Sequence, residues 1–79
     1  MVNDSLTMQL ISCFNNCFLP SCSLLSEKIK EHINCGMEVI EQCDDCLLIN
    51  LKFDDKSVGF RFNISKENNR PIIRGIIRV

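Results

Sequence analysis

The stretch from Cys46 to Ile64 reads CLLINLKF, then DDKS, then VGFRFNI, and no other part of the chain constrains the fold so tightly. Leu47, Ile49, Leu51 and Phe53 alternate with Leu48, Asn50 and Lys52, and Val58, Phe60, Phe62 and Ile64 alternate with Gly59, Arg61 and Asn63. A repeat of two belongs to extended strands, whose successive side chains point to opposite faces, and the polar DDKS interval supplies turn formers. The pattern predicts a β-hairpin with one apolar face. Each of its large apolar side chains contributes roughly 1.5–3 kcal/mol when fully buried, so the rest of the chain has to furnish a cover.

The N-terminal half offers that cover as two amphipathic helices. On a helical wheel Leu6, Leu10, Cys13, Phe14 and Cys17 fall together and Gln9, Ser12, Asn15 and Asn16 fall opposite. A first helix over 6–18 is expected, capped by Asn3 or Asp4 and ended ahead of Pro20, which forces the preceding residue out of the helical region. Cys13 and Cys17 are then expected on the buried stripe, where free cysteine sits as a small hydrophobe. Ser21 or Ser23 is expected to cap a second helix with an inner stripe of Cys22, Leu25, Ile29 and Ile33, flanked by His32, and with Leu24 in the corner between the helices. Gly36 stands where a left-handed residue closes a helix and Met37 where its hydrophobic partner belongs, which predicts a Schellman stop.

After Gly36 the repeat shortens to that of a strand. Met37, Glu38 and Val39 are expected to form a short strand, 41–45 the turn into the hairpin, 65–71 a polar turn, and IIRGIIRV a last strand favoured by its β-branched content. The predicted class is α+β: two N-terminal helices packed on one face of a three- or four-stranded antiparallel meander, a two-layer sandwich. Residues 1–79 make a single small domain, near the size at which only about 60% of the unfolded surface is buried. The ending on an apolar run also fits a fragment or truncated product.

Six cysteines in so short a chain pose a question of compartment. A secreted disulfide framework calls for a signal peptide and a chain poor in ordinary core residues; the N-terminus reads MVNDS, and 46% of the residues are hydrophobic. An intracellular location, cytoplasmic or nuclear, with reduced thiols is expected, and no apolar run reaches the ~18 residues of a membrane span. Residues 1–60 carry nine acids against four lysines, whereas 61–79 carry four arginines and a lysine against one glutamate. The sequence pI of about 5.7 and the lack of Trp and Tyr argue against nucleic acid as a partner. A single histidine, no nucleophile beside it and no glycine-rich loop argue against an enzyme.

One set of residues carries the spacing of a metal site. His32-x2-Cys35 and Cys43-x2-Cys46 offer four soft or borderline donors in two close pairs, the donor set of a Cys3His zinc centre. Cys43 and Cys46 alone also read as a dithiol pair, but Asp44 and Asp45 between them disfavour the thiolate that redox chemistry needs. The leading expectation is a non-enzymatic, cofactor-free interaction module, with a zinc-stabilised domain on His32, Cys35, Cys43 and Cys46 as the alternative. The contact is expected on the last strand at Arg74, Ile76 and Arg78. Adjacent isoleucines cannot all face one way, so one of each pair is expected uncovered on an edge suited to strand addition, by a protein partner or a second copy.

Overall fold

The structure, a computed structural model, describes residues 5–79; the expected caps Asn3 and Asp4 lie outside the described residues. In chain order the elements are α1 (Ser5–Phe14), α2 (Cys22–His32), β1 (Gly36–Gln42), β2 (Cys46–Lys52), β3 (Ser57–Glu67) and β4 (Arg70–Arg78). The strands form one antiparallel sheet in the order β1-β2-β3-β4. Every strand connection is therefore a hairpin, and the class is α+β.

The alternation in β2 and β3 translates directly into burial. Leu47, Ile49 and Leu51 lie opposite Phe62, Phe60 and Val58, so all six share a face, and all six are buried. Phe53 falls just past β2, half-buried against the core, where its N–H donates to the Lys56 carbonyl (2.8 Å) to close the turn. One buried cluster joins these residues and Ile64, Ile73 and Ile76 to Leu10 and Phe14 of α1 and Leu25 and Ile29 of α2.

α1 is shorter than its apolar stripe suggests. Asn16 takes a left-handed conformation (φ 62°), and its N–H donates to the Ile73 carbonyl (2.7 Å) instead of continuing the helical ladder. A left-handed asparagine is a common helix stop, because its short polar side chain tolerates that region. Cys17 therefore leaves the stripe and is exposed, and Cys13 is only partly buried; the buried cysteines are Cys35 and Cys46.

α2 begins at the first of the two expected caps, with Ser21 Oγ accepting from the Leu24 N–H (3.4 Å). It does not end in a Schellman motif at Gly36. Ile33, β-branched and at ease in extended backbone, leaves the helix directly (φ −136°, ψ 126°), and Gly36 becomes the first residue of β1. No described glycine has positive φ. Leu24 is exposed, not packed in a corner between the helices.

Both outer strands carry an irregularity that the alternation does not announce. In β1, Val39 pairs with Ile49 and Glu41 with Leu48, leaving Ile40 as an extra residue, and the strand runs on through Gln42. In β4, Ile73 pairs with Ile64 and Gly75 with Asn63, leaving Arg74 as the extra residue. A bulge shifts side-chain parity by one, so Ile73 and Ile76, three positions apart, both enter the core. The β3–β4 turn at Asn68 and Asn69 has positive φ at both residues (53° and 64°), the backbone of a type I′ hairpin turn.

Candidate functional site

Two places on the sheet concentrate the chemistry this chain has. The first is the β1–β2 turn. Cys43 and Cys46 flank Asp44 and Asp45, and the Cys43 N–H donates to the Cys46 carbonyl (2.8 Å), while the Ile64 N–H donates to the Asp45 carbonyl (2.8 Å) and ties the turn to β3. The Cys43 thiol donates to Glu41 Oε2 at 3.3 Å, and the donor atoms of Glu41, Cys43 and Cys46 all lie within 4.8 Å of one another. Its hydrogen bond to Glu41, then its contact with Cys46, push the Cys43 thiol up to about 12, so the thiol keeps its proton at neutral pH although it stands at the surface. This arrangement does not favour dithiol redox chemistry, which needs a ready thiolate.

Glu41 reaches the cysteines because of the bulge. Val39 lies opposite the core residue Ile49, and simple alternation would put Glu41 on that same face; the extra Ile40 turns it to the face shared by Leu48 and Cys46. The sequence signal was present as E-x-C-x2-C, but its meaning depends on a parity change that the residues alone do not reveal.

The structure does not bring together the four expected zinc ligands. Cys35 precedes the first residue of β1 and Cys43 follows the last, so the strand holds them on the order of 25 Å apart at an extended rise. Cys35 instead borders a cavity of about 640 Å³ with Lys30, Lys52, Asp54 and Asp55, and burial pushes its thiol up against the opposing pull of Lys30. His32 borders a different cavity of about 190 Å³ beside Cys13 and Cys17. Only Cys43 and Cys46 of the expected set stand together.

The second place is the half of β4 that follows its bulge. Of the expected contact residues, Arg74 is engaged within the chain: its guanidinium donates to Ser65 Oγ (3.3 Å), Asn16 Oδ1 (3.0 Å) and Glu67 Oε2 (2.8 Å). Ile76 is a core residue at 6% exposure, and the exposed member of its pair is Ile77 at 52%. Arg78 stays at the surface, opposite Phe60.

The other expected uncovered isoleucine, Ile72, is buried, because residues 16–19 run along the first half of β4 as a strap. Ile73 donates to the Cys17 carbonyl (2.8 Å), Leu19 donates to the Pro71 carbonyl (3.0 Å), and Phe18 bridges Ile72. The Arg70 guanidinium lies 4.0 Å from the centre of the Phe18 ring. Beyond the strap, Ile77 and Val79 are exposed. Val79 also borders a notch of about 190 Å³ above Gly59, with Ile40 and Leu48 among its other walls.

No helix among the described residues is long and apolar enough to cross a membrane. Comparison with protein-family models, curated proteins and solved structures finds no match to this chain.

Proposed function

We propose that this chain is a non-enzymatic protein–protein interaction module, a two-layer domain working in a reducing intracellular compartment. In this reading both helices cover one face of the sheet, and a partner meets the other face together with the unstrapped half of β4. The shared burial of Leu10, Phe14, Leu25 and Ile29 with the inward strand residues supports the layering.

The observation that carries the functional reading is the apolar surface left around the end of β4. Ile77 and Val79, two residues apart in the sequence, are 52% and 78% exposed, and Val79 borders the notch above Gly59 together with Ile40, which is 55% exposed. Exposed apolar groups gathered at one place suit a binding surface. The backbone adds a second attraction: the Val79 N–H turns inward to the Gly59 carbonyl (3.0 Å), so strand alternation turns the N–H groups of Ile76 and Arg78 outward. A partner strand can pair there, and the outer edge of β1 in a second copy offers one.

Sedimentation across a concentration series tests the reading. The native chain is expected to self-associate, and Ile77→Lys is expected to return it to monomer without changing its circular dichroism. A native chain still monomeric at roughly 0.5 mM would have a Kd weaker than about 1 mM and would overturn self-association.

A further inference from the structure

We propose that Glu41, Cys43 and Cys46 form a binding site for a thiophilic divalent cation of the zinc class, with both sulfurs and one carboxylate oxygen as protein ligands and the fourth position open to water. The site is distinct from the pairing of His32 and Cys35 with Cys43 and Cys46 that the spacing suggests, and it does not depend on self-association. Its geometry fits the ion. Zinc bonds of about 2.3 Å to sulfur and about 2.0 Å to oxygen, arranged tetrahedrally, place sulfur and oxygen ligands about 3.5 Å apart and two sulfurs about 3.8 Å apart. The Glu41 and Cys43 donors are 3.3 Å apart, and all three donors lie within 4.8 Å.

The scaffold holds the donors from independent positions. Cys43 and Cys46 are fixed across the turn by their backbone hydrogen bond, and the turn is anchored to β3 through Asp45 and Ile64. The bulge at Ile40 is a separate feature, and it is what aims Glu41 at the two sulfurs. Two sulfurs select against calcium and magnesium, which take oxygen ligands, and leave the zinc class as the occupant. Asp44 and Asp45 add negative potential at the mouth of the site without having to ligate. On binding, the cation displaces the thiol protons of Cys43 and Cys46 to solvent, and the Glu41 carboxylate exchanges its hydrogen bond for a metal bond.

Cobalt(II) titration of the reduced full chain tests the proposal, because thiolate-bound cobalt absorbs where the free ion does not. One equivalent is expected to saturate a sulfur-to-cobalt band that zinc then bleaches. Cys43→Ser, at an exposed turn position, is expected to abolish the band, and Glu41→Gln to weaken binding at least about tenfold. His32→Ala and Cys35→Ser are expected to leave it intact. Absence of a band at one equivalent, its survival in Cys43→Ser with unchanged circular dichroism, equal affinity in Glu41→Gln, or its loss in His32→Ala would each overturn the site.

Discussion

The bulge at Arg74 decides which isoleucine of the Ile76–Ile77 pair belongs to the core, and a pair of alanine substitutions measures that decision. Ile76 is 6% exposed within the central cluster, whereas Ile77 is 52% exposed on the opposite face. Ile76→Ala removes three carbons at about 0.8 kcal/mol each, and the cavity left among Phe62 and its neighbours raises the cost to about 3 kcal/mol. Ile77→Ala forfeits partial contacts and some strand preference, under about 1 kcal/mol. Against a stability of about 4–12 kcal/mol for a domain of this size, the first loss is large and the second small. Far-UV circular dichroism in urea is the appropriate assay, since a chain without Trp or Tyr gives little fluorescence. With a slope of about 1 kcal/mol per molar urea, the midpoint of Ile76→Ala should fall by roughly 3 M and that of Ile77→Ala by less than about 1 M. Equal losses, or a larger loss at Ile77, would mean that β4 is regular and slipped by one residue, and the argument from the bulge would fail.

Two further outcomes are expected. Asn69 holds a φ of 64° in the β3–β4 turn, so Asn69→Gly should raise the melting temperature by about 2–4 °C, whereas Asn69→Val should lower it, and a rise with valine would contradict the turn. In reduced, metal-free protein, thiol labelling at neutral pH should be fast at exposed Cys17 and slow at buried Cys35 and Cys46. It should also be roughly tenfold or more slower at Cys43 than at Cys17 despite exposure, and Glu41→Gln should speed Cys43; equal rates at Cys17 and Cys43 would count against the hydrogen bond.

What could be read from the sequence follows the range of the forces involved. The β2–β3 hairpin was legible because its strands alternate: from Leu47 to Leu51 and from Val58 to Ile64 every second residue is buried, and a period needs no knowledge of the partner. Ser21 was legible because a cap acts on an amide three residues away. The end of α1 was not, since Asn16 gives its N–H to Ile73, a residue far along the chain. Gly36 resembled a helix stop because composition alone cannot tell a left-handed glycine from one in a strand. The candidate site was half legible. Cys43 and Cys46 lie close through a local turn, but Glu41 joins them through a bulge, and His32 and Cys35 are drawn away by the length of β1. In β4 the double isoleucines hinted at a broken period, yet only the pairing with β3 fixes Arg74 as the residue left over.

The strap of residues 16–19 also sets an order of events as the chain is made. The helices leave the ribosome before the sheet, but the backbone groups that hold their connector belong to Pro71 and Ile73 of β4. The hairpins can close one after another through short loops, whereas this contact spans most of the sequence and carries a larger entropy of closure. Synthesis and docking therefore run in opposite directions: the strap is made before the sheet yet is among the last segments to settle. A chain ending at Glu67 should accordingly exchange the amide protons of Asn16 and Leu19 with solvent freely.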